Sequence, residues 1–332
     1  MKGPRKGFCL GLVLLFSIVL MGFSSANSLA SDFPNRPITF IVQYAPGGGV
    51  DVTARILANI ASKYAGVNIV VQNITGGGGT VGVTELAKAN PDGYTLGLVF
   101  PTTLMESSVI EGVAYGSDSF QPICQINYDP VMMMVKANTE YDVTFDELVK
   151  MTKEKKLNMG VGALWTTFDL LKSYLRHYYD IDFKRIHYGS GGAAVAGAIL
   201  AGDVDVGLMY PNEWISYYQS GELKGIGVAS TERLKAFPDV PTFDEMGYEV
   251  GNIGVRRILI APKGTPEEVM VRLEEIFMKA LEDPRLAEEY AKVGMSFLPA
   301  GREEATANLF EEAQKFLDLI EELDIKPGDA PK

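Results

Sequence analysis

The chain has 332 residues, 42 acidic against 30 basic side chains, a formal net charge of −12 and 47% hydrophobic residues. So acidic a surface argues against nucleic acid and anionic lipid surfaces as partners. Of the two histidines, neither His177 nor His187 has a second ligand at a zinc-like spacing, so no metal centre and no cofactor is expected.

Lys2, Arg5 and Lys6 precede an almost wholly apolar run from Phe8 to Phe23, and small residues follow. This is the form of an export leader over residues 1–30, with small residues at both cleavage-determining positions of Ser28-Leu29-Ala30 and Ala26 as the rival site. An uncleaved anchor is the competing reading, because the run of about 16 is only a little short of the roughly 20 residues a transmembrane helix needs. The small-residue exit favours cleavage and a periplasmic protein. Cleavage removes Cys9 and the three cations, which shifts the net charge to about −15. Cys124 then remains as a single thiol without an intrachain disulfide, and reads as a small buried hydrophobe in Phe120 to Ile126. The roughly 300 residues left suggest two lobes rather than one core.

Short β-rich runs then alternate with helical patterns, the sequence form of an α/β fold with mostly parallel strands. Ile38 to Tyr44 predicts a strand, followed by the turn Pro46-Gly47-Gly48-Gly49, Asp51 as N-cap, and a helix with Ile56, Leu57, Ile60 and Tyr64 on one face. Asn68 to Gln72 is the next strand, ahead of a second turn, Gly76-Gly77-Gly78-Gly79, and a short helix to Lys88. Thr95 to Phe100 gives the third strand and runs into Pro101-Thr102-Thr103, read as a polar loop at the carboxyl edge of the sheet, where open α/β sheets bind ligands. A second series starts near Val131, with strands at Val131 to Val135, Leu157 to Gly160, Phe183 to His187 and Val204 to Met209. Helices at Thr144 to Lys155, Thr166 to Tyr179 and from the loop Tyr188 to Gly192 up to Ala201 lie between them. After the loop-rich Phe237 to Gly254, Val255 to Ile260 is an apolar strand, and amphipathic helices follow at Pro266 to Leu281 and Glu303 to Leu323. A helical tail of that size needs a sheet to cover, so the chain is expected to return to its first lobe. The expected organisation is residues 31–130 with 255–332 as one lobe and 131–254 as the other, with crossovers near 131 and 255.

Both glycine turns follow a strand and open a helix, which leaves backbone N–H groups bare where the helix dipole is positive. Such a place binds anions. Gly77 to Gly82 fits the dinucleotide spacing, but four consecutive glycines satisfy it cheaply and no acidic residue ends a second strand about twenty positions on. The Gly-Lys-Ser/Thr of a P-loop is absent. Ser190 in Gly189-Ser190-Gly191-Gly192 is the one serine in an enzyme-like setting, yet Tyr188 stands where Gly-x-Ser-x-Gly needs its first glycine. A periplasmic enzyme using Ser190 or Asp169 is thus the alternative from another class, disfavoured by the lack of a base and nucleophile pair.

Pro37 to Val42, Tyr44 to Asp51, Val70-Val71-Gln72-Asn73 with Gly76 to Gly79 and Gly82, and Pro91-Asp92-Gly93-Tyr94-Thr95 resemble the periplasmic solute-binding proteins of tripartite tricarboxylate transporters, the Bug family. The likeness continues through Gly202-Asp203-Val204-Asp205, Gly221 to Lys224, Phe237 to Thr242 and Ala261-Pro262 with Gly264-Thr265-Pro266. It implies a monomeric two-lobed clamshell that binds a small carboxylate and presents it to membrane transporter subunits. A receptor reporting to a sensor kinase is a further alternative. The resemblance also implies that the first lobe grips the carboxylate largely through backbone N–H groups and ordered waters from the two glycine loops, rather than through an arginine. By position this falls on Tyr44, Ala45, Gly48, Gly49, Asp51 and Gly76, Gly77, Gly78 and Gly79, with Thr102 and Asp205 as further candidates.

The second lobe departs from the family pattern. Where Gly-x-Gly-Ser-x-x-His-Leu is usual, Ala163 to Leu170 carries Trp165, Thr166 and Asp169; the usual Tyr-Lys-Gly becomes Tyr188-Gly189-Ser190, with Gly191 next; and the customary Trp-x-Gly becomes Arg256-Arg257-Ile258. Trp165, Thr166, Tyr188, Ser190, Gly191 and Arg256 are therefore candidates for choosing the ligand. Asp169 is expected to accept a hydrogen bond from a ligand hydroxyl or amine or to pair with Arg256 on closure, or else to be a helix N-terminal acid favoured by the dipole.

Overall fold

The computed structural model describes residues 32–109, 112–162, 166–188 and 192–323. The leader and the candidates Trp165, Ser190 and Gly191 lie outside them.

The chain opens with β1 (Ile38–Val42), nearly buried throughout as a central strand must be. Helix α1 (Gly49–Ala65) turns Ala54, Leu57, Ala58, Ala61 and Ala65 inward at helical spacing, and ends on left-handed Gly66, whose N–H returns to the Ser62 carbonyl. After β2 (Ile69–Asn73), the second turn holds Gly76 to Gly79 at φ of 132°, 57°, 70° and 113°. Those values are open to glycine and strained for other residues, which is why four glycines stand together there. Then come α2 (Thr80–Lys88), β3 (Thr95–Val99) and α3 (Pro101–Val109). Pro101 to Thr103, expected as a polar loop, is instead the first turn of α3. Proline suits the first helical position, because its fixed φ is helical and its missing N–H has no intrahelical acceptor there.

Strand β4 (Phe120–Pro130) leads directly into β5 (Met132–Lys136), which belongs to the other sheet. The second lobe continues with α4 (Phe145–Glu154), β6 (Asn158–Val161), α5 (Thr167–Tyr179), β7 (Lys184–His187), α6 (Gly192–Ala201), β8 (Val206–Met209), α7 (Pro211–Ser220) and β9 (Leu223–Val228). Strand β10 (Gly254–Pro262) carries the chain back, and α8 (Glu267–Leu281), α9 (Pro284–Lys292) and α10 (Arg302–Glu322) close it. The sheets have the orders β2-β1-β3-β10-β4 and β7-β6-β8-β5-β9. In each, the three strands of the βαβ units are parallel, while the crossover strands and β9 pair antiparallel, so both sheets are mixed. Together they form a two-lobed α/β molecule.

Alternation along the crossover strands divides the core. In β5, Met133 and Val135 face one hydrophobic cluster and Met132 and Met134 another; in β10, Val255, Leu259 and Ala261 lie on the α1 and α8 face, with Ile258 and Ile260 on the opposite face. Helix α10 covers the first sheet through Ala305, Leu309 and Ala313, yet its later Phe316 and Ile320 enter the core of the second lobe. The helical tail thus spans both lobes.

Candidate functional site

The two glycine turns sit at the carboxyl ends of β1 and β2, and a polar network holds the first. Asp51, in the first turn of α1, accepts from the Gly47 N–H at 2.8 Å, from Arg55 Nε at 2.9 Å and from Asn73 Nδ2 at 2.8 Å. Asn73 also reaches the Tyr44 carbonyl at 2.9 Å. Burial alone would raise the Asp51 carboxyl, but the bond from Arg55, with those from Gly47 and Asn73, brings it below its ordinary value. The N-cap is Gly48, which has no side chain to cap with, and not Asp51 as expected. Asp51 lies inside the helix and braces the loop from below. Among the described residues nothing accepts from the N–H groups of Gly49, Val50 and Asp51, so the positive end of α1 stays available.

Gly49 is one point at which the two lobes meet. A Cβ there would stand 2.7 Å from Asn212 Nδ2 on α7 and 3.3 Å from Arg257 Nη2 on β10. Glycine is needed here for close approach, since its φ lies outside the left-handed region. Arg257 is 1% exposed and pairs through Nη1 with the fully buried Asp129 of β4. Asp129 also accepts from Asn127 Nδ2 and the Ser296 N–H, both at 2.9 Å. The pair joins the two crossover strands at the floor between the lobes. Arg257 Nε, Asn212 Oδ1, Asn127 Oδ1 and Tyr128 Oη are buried with no hydrogen-bond partner among the described residues.

From the second lobe, α5 points its N-terminus toward the same floor. Thr166 and Asp169 form a capping box, and neighbouring Thr167 shares a 2.9 Å hydrogen bond with the Tyr210 hydroxyl. The Tyr210 ring lies 6.0 Å from the Arg257 guanidinium. Glu213, at the start of α7, accepts from the Tyr210 N–H at 2.9 Å and the Gly192 N–H at 3.1 Å, tying the entry of α6 to α7. Burial raises the Glu213 carboxyl, and these two N–H bonds offset part of that rise. On the first lobe, Glu106 of α3 is buried with no hydrogen bond from any described residue, and desolvation pushes it up to about 8. Its electrostatic neighbours are Tyr44 and Tyr115, so it holds its proton at neutral pH.

Several expected residues converge on this floor. Gly49 touches the second lobe directly, and Gly79 lies against the Tyr44 ring, where a Cβ would be 3.3 Å from Cε1 and Cζ. Ala45, Gly48, Gly76, Gly77 and Gly78 form the exposed rims of the two loops, and Thr102 is buried in the first turn of α3. Thr166 caps α5, and Tyr188 follows β7 with its N–H on the Val161 carbonyl at 3.0 Å. Other residues are placed elsewhere. Asp205 precedes β8, at the edge of the second sheet away from Tyr210, and accepts from the Asn158 N–H at 2.7 Å. Asp169 forms an ion pair with Arg185 of β7, and Arg256 reaches Glu312 of α10 at 2.6 Å and Gln125 Oε1 at 2.9 Å. The expected Asp169–Arg256 pair is therefore absent. Adjacent strand residues face opposite sides, so Arg256 turns toward α10 while Arg257, Asn212 and Asp129, none of them anticipated as site residues, meet between the lobes.

The comparisons with known proteins agree with this two-lobed fold. A family model described as the tripartite tricarboxylate transporter family receptor matches residues 53–325. A UPF0065 protein from the tcbD–tcbE intergenic region of Pseudomonas sp. (strain P51) is 31% identical, over 93% of this chain and 93% of its own length. The periplasmic binding protein BugD has a TM-score of 0.80 at 27% identity, over 89% of this chain and 99% of its own. MatC from Rhodopseudomonas palustris, solved with bound malate, has a TM-score of 0.75 at 26% identity, over 87% and 100%. This chain belongs to the tripartite tricarboxylate transporter receptor family.

Proposed function

From that membership and the geometry between the lobes, we propose that the chain is an extracytoplasmic receptor, exported by a cleaved leader, that binds a small organic carboxylate and delivers it to membrane subunits of a tripartite tricarboxylate-type transporter. The observation that carries this reading is Gly49: the bare first turn of α1 meets Asn212 of the second lobe above a buried guanidinium. Backbone N–H groups from the first loop and from Gly76 to Gly78 hold the carboxylate, with Tyr44 beside them. Charge-assisted bonds of this kind contribute roughly 1.5 to 3 kcal/mol each. The second lobe, through Thr166, Thr167 and Tyr210, contacts the rest of the ligand only in the closed state, so binding favours closure by that difference in affinity. MatC binds malate, which makes malate the first probe to use.

Thermal-shift and calorimetric titrations of the mature chain with malate, succinate, citrate and glutamate test the reading. A ligand that binds only the folded state raises its unfolding midpoint by mass action, so at least one acid is expected to raise it. A flat response to all four at millimolar concentration refutes the proposal. Consumption of a bound acid by the purified protein would favour an enzyme instead.

A further inference from the structure

Arg257 carries a buried hydrogen-bond donor that no described residue accepts from. Its Nη1 goes to Asp129, Nε is buried without a partner among the described residues, and Nη2 is directed at the first residue of α1. Over nine in ten buried polar groups find a partner. Nη2 lies 3.3 Å from the point where a Cβ on Gly49 would stand, beside the first turn of α1, whose Gly49, Val50 and Asp51 N–H groups have no acceptor among the described residues. From the opposite wall Asn212 brings its Nδ2 to the same point, and its Oδ1 is buried and unpartnered as well.

We propose that Arg257 is a specificity-determining residue for the ligand's anchoring carboxylate. Nε and Nη2 hold it together with the first turn of α1, and Asn212 closes over it from the second lobe. This rests on the receptor reading above and adds to it a side-chain cation where the family resemblance implies chiefly backbone donors and ordered waters. A planar guanidinium fork matches a planar carboxylate, which a lysine ammonium does not. Asp129 already balances the arginine's charge, so the incoming anion is compensated only by the partial positive end of α1. A singly charged carboxylate suits that setting, and a doubly charged phosphonate in its place does not. The ligand class is therefore an acid whose anchoring group is a carboxylate.

Two variants and a complex test the assignment. Arg257→Lys keeps a cation beside Asp129 but loses the fork, and Asn212→Ala removes the contact from the second lobe. Calorimetry with whichever of malate, succinate, citrate and glutamate binds the unmodified chain is expected to show about a 10- to 100-fold loss of affinity in Arg257→Lys and about a 10-fold loss in Asn212→Ala. Each variant's unliganded unfolding midpoint serves as the control for a purely structural role, and Asn212→Ala carries the test if Arg257→Lys does not fold. A crystal structure of the complex is expected to place a carboxylate oxygen within hydrogen-bond reach of Nε or Nη2. Affinities within twofold of the unmodified chain in both variants, or a ligand seated on the glycine loops without Arg257, overturn this inference and leave the receptor reading standing. If none of the four acids binds the unmodified chain, both fall.

Discussion

Glu106→Gln isolates the buried acid of the first lobe. In the folded chain Glu106 is 7% exposed, receives no hydrogen bond from a described residue, and lies beside Tyr44 and Tyr115, whose own hydroxyls are pushed upward and stay neutral below pH 9. Desolvation raises it from 4.5 to about 8. Between those values the folded state keeps a proton that the unfolded state releases, so stability falls as pH rises through that window and levels off above about 8. A gap of about 3.5 pH units at about 1.36 kcal/mol per unit gives a total loss of about 5 kcal/mol, of which about 3 kcal/mol has accrued by pH 7. Gln has nearly the same shape and no proton to lose. Urea unfolding of both proteins at pH 5 and pH 8.5 is therefore expected to show similar stability at the lower pH and a Gln variant more stable by about 4 kcal/mol at the higher. Parallel pH profiles for the two proteins would refute the assignment of an unpaired buried acid, since a carboxylate with a hidden cation would be ionised throughout and the substitution would destabilise.

Asp51→Ala removes the acceptor of three hydrogen bonds under the first glycine turn, from Gly47, Arg55 and Asn73. It is expected to lower stability by about 2 kcal/mol in urea titrations and to weaken ligand binding further by loosening the loop. An unchanged unfolding midpoint would show the network to be idle. Gly82→Ala introduces a Cβ 2.5 Å from the Ile74 carbonyl oxygen and 2.8 Å from Gln43 Cα, both backbone atoms that move only with the strand end. It is expected to destabilise by about 1–3 kcal/mol, whereas Gly197→Ala, with open space around its Cβ inside helix α6, is expected to stabilise by about 0.5–1 kcal/mol. Equal thermal midpoints for the two alanine variants would contradict this account of glycine spacing.

Much of the fold was legible because it rests on local patterns. The apolar runs that became β1, β3 and β10, the helical spacing of α1, and the helices opening at Thr144 and Thr166 are read within a few residues of chain. Where an element depends on distant partners, the sequence says less. Phe120 to Pro130 reads as an unremarkable apolar stretch with polar interruptions at Gln125, Asn127 and Asp129, yet it is the longest strand among the described residues, because β10 pairs along its whole length. Pro101-Thr102-Thr103 carries loop composition but starts a helix, since its place after β3 lets α10 cover it.

The proposed site was legible to the extent that its proposed donors are backbone groups, whose sequence trace is the glycine that lets them be approached. The side chains were harder, and for a single reason. Asp51 and Asp169 both stand in first turns of helices that face the space between the lobes, and each looked like a ligand contact. An inward-facing carboxylate there would compete with an anionic ligand for the same positive helix end. In the folded chain both are turned aside, Asp51 to Gly47, Arg55 and Asn73, and Asp169 to the Thr166 N–H and Arg185. The start of α1 is thereby left with N–H groups that no described residue accepts from, whereas α5 is capped by Thr166. The paired arginines pose the converse problem: they are adjacent in sequence, and only the pleat of β10 decides which one turns toward Gly49. Val255 and Leu259, buried against α1, put Arg257 on the face nearest Gly49, so the parity of two flanking hydrophobic residues determines which guanidinium stands beside the first turn of α1.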